Sequence, residues 1–223
     1  SNPYGDLKVI ITQNDRWDNA KTGLKPLFVK DKELIYDYDE DNVFNGGNEF
    51  RRFDTKSLRF QSERIRKMEK DSTGISHVYL LSDENRSIKR FYSDYDINGK
   101  YKIHIQEGSN SDVEADYVWV NFFLQYDAPL TDGVLYVFGA LSDWQYKTEF
   151  RLKYNYKRFG YEADILLKQG YYNYEYVFLK DGEEQGDETF IEGTHWETEN
   201  DYTIYVYHHP IGANYDMLVG MKK

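Results

Sequence analysis

The segment DYVWVNFFLQY, Asp116–Tyr126, decides the fold class. Val118, Val120, Phe122, Leu124 and Tyr126 fall on one face of an extended chain, and that face is almost wholly apolar. Tyr117, Trp119, Asn121, Phe123 and Gln125 fall on the other face, which mixes aromatic and polar groups. Side chains of a strand alternate between two sides, so a period of two marks a half-buried strand.

The same pattern extends in both directions. GYEADILL (160–167) sets Tyr161, Ala163, Ile165 and Leu167 against Glu162 and Asp164. KTEFRLKY (147–154) sets Phe150, Leu152 and Tyr154 against Lys147, Glu149, Arg151 and Lys153. YYNYEYVFL (171–179) and DYTIYVY (201–207) continue it, with turn residues between: Pro129, Asp132-Gly133, Asn155, Gly160, Gly170, Asp181-Gly182 and Gly186. In the first half LKVIIT, ELIYDY, SLRFQ, SHVYLL, SIKRFY and KYKIHIQ are predicted strands, and NGGNE (45–49) is a turn. SERIRKMEKD (62–71) is the one helix-like patch, because Ile65 and Met68 stand three apart, but it is short and reads equally as strand and loop. The polar run QEGSNSDVEAD (106–116) reads as a loop or a short linker, and the chain is split within it. The prediction is therefore an all-β protein of two antiparallel β-sandwich domains, residues 1–112 and 113–223.

Composition narrows the function classes. The net charge of −11, from 39 acidic and 28 basic residues, opposes nucleic acid, whose phosphates need a surplus of Lys and Arg. It equally disfavours an anionic membrane surface. With 22 Tyr, 13 Phe and 4 Trp, the chain is rich in strand-favouring aromatics. There is no cysteine, so neither a disulfide framework nor a thiolate metal site can form. No apolar run approaches the roughly 18 residues of a spanning helix. The chain opens SNPYGDLKV without a methionine and shows no signal peptide, as expected of a processed product or a fragment.

Candidate chemistry is sparse. Asp37, Asp39 and Asp41 in YDYDEDN alternate like the start of a calcium loop, but Asn42 and Asn48 stand where that loop needs Gly and Glu. An edge of like charges that deters strand pairing accounts for the run as well. His195, Glu197 and Glu199 would share one face of an extended THWETEND and offer a transition-metal set. Ordinary polar surface is the competing explanation. His208-His209, before Pro210, reads as a strand-end turn. No nucleophile elbow, phosphate loop or paired-histidine helix is present. The reading assigns no catalytic residue, no metal and no cofactor.

Gly139 and Trp144 in VFGALSDW, then Gly170, Tyr171 and Tyr174, then Asp181-Gly182, follow an order that resembles early-set immunoglobulin-like domains of the glycogen-binding type. In the sugar-binding members a second aromatic follows the Asp-Gly turn. Here Glu183, Glu184 and Gln185 occupy that place, which removes the apolar face a sugar ring would stack on. Trp144 is the carbohydrate-binding candidate, with a packing corner as the alternative role.

Five ordered segments carry a broader resemblance: DLKVIITQNDRWDN, DYDEDNVFNGGNEFRRFD, GVLYVFGALSDWQ, LLKQGYYNYEYVF and GTHWETENDYTIYVYHHP. Together they resemble the plug protein family of the Bacteroidetes type IX secretion system, whose members extend further at the amino end. The resemblance implies a periplasmic protein associated with the outer membrane. Such a protein closes the periplasmic mouth of a translocon barrel sterically, without inserting in the bilayer and without catalysis. It transfers no site residues. Aromatics suited to a soluble docking face are Tyr117 and Trp119, opposite the apolar side of their strand, and Trp196 in a polar loop. Arg16-Trp17, near a turn, is a local stacking pair or a cap on the first sandwich.

Overall fold

Among the described residues strands supply nearly all the regular structure, as the alternating pattern requires, and helix is limited to single turns. The protein is all-β, with several antiparallel sheets. The computed structural model describes residues 6–31, 33–37 and 40–223. The strands in chain order are β1 (Leu7–Gln13), β2 (Lys21–Leu24), β3 (Phe28–Lys30), β4 (Glu33–Ile35), β5 (Arg51–Asp54), β6 (Ile65–Lys70), β7 (Ser76–Leu80) and β8 (Asp83–Glu84). There follow β9 (Tyr101–Ile103), β10 (Tyr117–Gln125), β11 (Gly133–Phe138), β12 (Lys153–Asn155), β13 (Gly160–Lys168), β14 (Gly170–Lys180), β15 (Tyr202–His208) and β16 (Met217–Lys222).

The chain divides into a central unit, Gly47–Thr198, and a terminal unit made of Ser1–Gly46 with Glu199–Lys223. The boundary expected at 112 is thereby corrected. β7 pairs in parallel with β10, Val78 opposite Val120. β14 pairs with β5 and with β9. Strands from both sides of residue 112 thus interleave in the same sheets, and the polar run 106–116 is a connection inside one unit. Part of it closes into a helical turn, Ser111–Glu114, capped by the Asn110 side chain on the Asp112 N–H.

Two sheets build the central unit. One has the order β12-β13-β10-β7-β6, with β8 also paired to β10, and the other has the order β11-β14-β5, with β9 also paired to β14. Val118, Val120, Phe122 and Leu124 of β10 are completely buried, as the opening segment predicts. Tyr161, Ala163, Ile165 and Leu167 of β13 join them from the next strand. The second sheet contributes Phe53, Leu135, Val137, Tyr172, Tyr174, Tyr176 and Phe178 to the same core. Phe122 meets Tyr174 edge-on at 5.1 Å and Phe53 edge-on at 5.5 Å, while Phe53 stacks on Tyr172 at 5.2 Å. Burying each such ring stabilises the fold by about 1.5–3 kcal/mol before the cost of ordering it.

The helix-like patch is strand β6, antiparallel to β7. Its ladder shifts register between Ile65 and Lys67. The inserted residue turns Ile65 and Met68, three apart, toward the same core, so a bulge imitates a helical spacing. KTEFRLKY is shorter as a strand than predicted. Thr148–Phe150 makes a single helical turn, and only β12 follows. SLRFQ and SIKRFY find no ladder partner and run as loops.

The terminal unit is a four-stranded antiparallel sheet in the order β16-β15-β1-β2, with a separate β3-β4 hairpin. Val9 faces Val206 across the β1–β15 ladder, so the two chain ends meet in one sheet.

Candidate functional site

β5 explains why the central unit holds an ionic cluster. Phe53 points into the core, and alternation puts Arg51 on the same side. A guanidinium facing inward must be met by carboxylates. Arg51 Nη1 donates to Asp83 Oδ1 at 2.9 Å and Nε to Glu192 Oε1 at 2.9 Å, while Nη2 donates to the Glu84 carbonyl at 2.8 Å. Both carboxylates are about 1% exposed. Asp83 arrives on β8, set beside Leu124 of β10. Glu192 arrives on the helical turn Thr189–Glu192. The hydroxyls of Tyr174 and Tyr176 each donate to Asp83 Oδ2 at 2.8 Å, and the Tyr176 N–H donates to Glu192 Oε1 at 2.8 Å. Arg51 also stands over the Tyr176 ring, 5.2 Å from its centroid.

Two further guanidiniums complete the cluster. Arg64 Nη2 donates to Asp83 Oδ1 at 2.6 Å. Arg86 Nε donates to Glu192 Oε2, and its Nη2 donates to the Glu49 carbonyl. Burial opposes the charge on Arg51, yet Glu192 and then Asp83 outweigh it and hold its pKa well above the ordinary value. Burial likewise pushes Glu192 up, but the charges of Arg51 and Arg86 win and keep it below the usual carboxylate range. Burial, then the charge of Asp83, drives both tyrosines far above their normal pKa, so they remain neutral donors.

Arg51, Arg64, Asp83 and Arg86 of the cluster line a cleft of about 240 Å³, together with further bases (Arg52, Lys89, Arg90), further carboxylates (Glu49, Glu63, Asp94) and Tyr92. Its wall is fixed to the loop after Glu192. The Arg86 N–H donates to the Ile191 carbonyl at 2.9 Å, and Phe91 lies against the His195 ring at 5.5 Å. Gly193, at φ +76°, lets these segments touch, since a Cβ there would lie 2.9 Å from the Ser87 carbonyl oxygen. Around this end Ile88 is 96% exposed, Trp196 89%, Tyr92 78% and Tyr95 77%. Lone exposed apolar residues are ordinary; here several stand on loops that are tied together.

The residues singled out from sequence separate into different places. Trp196 sits in a turn, directly after His195, whose ring lies against Phe91. Tyr117 and Trp119 stand on the outer face of β10, Tyr117 exposed and Trp119 half-buried, opposite Lys168 and Leu166 of β13. Tyr117 begins the strand whose far end, at Leu124, meets Asp83, a separation of roughly 23 Å at strand rise. Trp144 is half-buried, edge-on to Phe50 at 6.0 Å and to Phe138 at 5.5 Å. A Cβ on Gly99 would strike its ring at 2.3 Å. Trp17 is half exposed and tilts against Tyr205 at 5.2 Å, while Arg16 pairs with Asp18 at 2.7 Å.

The metal candidates change in form. His195 and Glu197 lie in a loop and turn, so the strand alternation that would align them with Glu199 does not exist. Of the acidic run, Tyr38 and Asp39 lie outside the described residues, while Asp37 and Asp41 are exposed. Among the described residues no three His, Asp or Glu side chains converge as a metal set. His208 lies within β15 opposite Leu7, and His209 pairs with Asp216 at 2.8 Å.

Sequence reading missed Arg51, Arg64, Asp83, Arg86 and Glu192, which are scattered over the chain and form no local motif. One signal was available: in RRFD, an arginine two residues before a core phenylalanine implies buried carboxylate partners.

The crystal structure of a hypothetical protein from Parabacteroides merdae is similar along the whole of this chain, with a TM-score of 0.92 and 35% sequence identity. This chain spans 55% of that protein's length. No protein-family model and no curated protein matches the chain.

Proposed function

We propose that this chain is a non-enzymatic interaction module, a periplasmic plug that closes the inner mouth of a type IX secretion translocon barrel. The observation that carries the reading is the loop end of the central unit. Trp196, Tyr92, Tyr95 and Ile88 are exposed there on segments anchored to a buried ionic cluster. A steric plug needs a rigid body with a contact rim, and aromatics with polar edges suit a rim that is also soluble alone. The five sequence segments resemble that family, and a structural neighbour from Parabacteroides is compatible with a Bacteroidetes setting.

In the same reading the central unit is a β-sandwich of the early-set immunoglobulin-like kind. Its support is a core shared by two sheets and a Trp144 corner following β11. The glycan-binding alternative requires an open aromatic face at Trp144. That ring is engaged by Phe50 and Phe138, and nothing in the geometry favours a sugar there.

Affinity purification of the full-length protein from outer membranes tests the proposal. Co-purification of a large β-barrel, identified by mass spectrometry, is the expected result. Quantitative recovery of the protein without any barrel would remove it.

A further inference from the structure

The terminal sheet carries a hydrophobic pattern that one layer cannot satisfy. β1 and β15, LKVIITQ and YTIYVYH, are apolar at adjacent positions as well as at alternate ones. Their register puts Leu7, Val9 and Ile11 on one face with Ile204 and Val206. It puts Ile10 on the other face with Tyr205 and Tyr207. β16 extends that second face, with Met221 beside Tyr205 and Leu218 beside Tyr207. Strands apolar on both sides belong to a sheet that is covered on both sides. Yet on the second face Leu218 is 52% exposed and Met221 64%, and Trp17, laid against Tyr205, is itself 54% exposed.

The chemistry of this face selects its occupant. Among the strand residues of β1, β15 and β16 that form it, the charged one is Lys8, which is already paired with Asp216 at 2.7 Å. The rest is mostly aromatic and aliphatic, the makeup of a domain interior more than of a surface that binds and releases a partner. The Parabacteroides protein, similar along the whole of this chain, has nearly half its length outside the match. We propose that the face of Tyr205, Tyr207, Leu218 and Met221 is an intramolecular interface. Its occupant is a further apolar layer of the same polypeptide, supplied by the counterpart of the part by which the Parabacteroides protein is longer. That layer gives the terminal sheet the second side that the central unit already has. The inference goes beyond the plug reading and does not depend on it.

The chain has no cysteine, so a single introduced thiol reports on a single place. Leu218→Cys and, separately, Met221→Cys are placed in the protein expressed from its complete gene and purified without any barrel. Maleimide labelling is then timed in native buffer and in urea. Each thiol is expected to react at least about a hundredfold more slowly in the native protein than in urea. Val113→Cys, on the helical turn of the central unit and 75% exposed, should differ by no more than about threefold between the two conditions. Native labelling at 218 and 221 as fast as at 113 would overturn the proposal, as would a complete gene that encodes no chain beyond these residues. Protection that is lost on dilution, with a dimer seen by light scattering, would assign the face to a second copy and overturn it as well.

Discussion

The two units of this chain use the same alphabet to opposite effect. In the central unit the apolar residues of its paired sheets meet in one core and an ionic cluster is buried beside them. In the terminal unit Val9 is the one buried apolar residue among those described, and Thr12, Gln13, Asn14, Arg16 and Thr203 are the other buried positions. Meanwhile Phe28, Leu218, Val219, Met221 and Ile211 of that unit stand largely exposed. Alternation alone therefore makes strands but does not make a core. A sheet needs a second apolar layer to bury its face, and the central unit has one.

The comparison breaks most visibly if the units are separated. Residues 47–198 expressed alone should retain near-ultraviolet circular dichroism and a single cooperative urea transition. Loss of cooperativity would show that the central core does not suffice. Within the intact chain, Phe122→Ala should cost about 3–5 kcal/mol by urea denaturation. Val9→Ala in the terminal unit should cost only about 1.5 kcal/mol, from the two methyl groups removed.

Arg51→Met attacks the cluster. It leaves Asp83 and Glu192 buried with less compensation, and a loss of about 3–5 kcal/mol is expected in the same assay. The acid limb of stability sharpens this. Glu192 has a folded pKa lowered from 4.5, so its contribution is complete above that value and is lost as the pH falls through the lowered one. Glu192→Gln should flatten the stability profile below pH 4.5 relative to the parent, a comparison that urea titrations across the acid range can make. At the small end, Leu218→Ser on β16 should change stability by no more than about 0.5 kcal/mol.

What sequence disclosed follows from what is local. The strand faces of β10 and β13 were readable because alternation is a nearest-neighbour property, and their inward residues are buried; β14 is buried on both faces from Tyr172 to Phe178, which a half-buried pattern does not predict. The sheet partners were not readable. β7 beside β10 and β5 beside β14 are long-range pairings, which no turn signal announces. That is why the polar run 106–116 passed for a domain boundary. Ile65 and Met68 left helix and strand undecided for a different reason, a bulge that shifts strand spacing from two to three. At the candidate site Trp196 could be singled out as a large aromatic in a polar loop, while the ionic cluster arises only when β5, β8 and the Glu192 turn are brought together.

The central claim is that this protein acts by contact through the loop end of its central unit. Photocrosslinking in intact outer membranes tests it most directly, with a benzophenone amino acid placed in turn at Trp196 and at Tyr117. An adduct to a large β-barrel from position 196, with little from 117, is the expected result. Adducts from 117 alone, or barrel adducts from neither position in a folded protein, would contradict it.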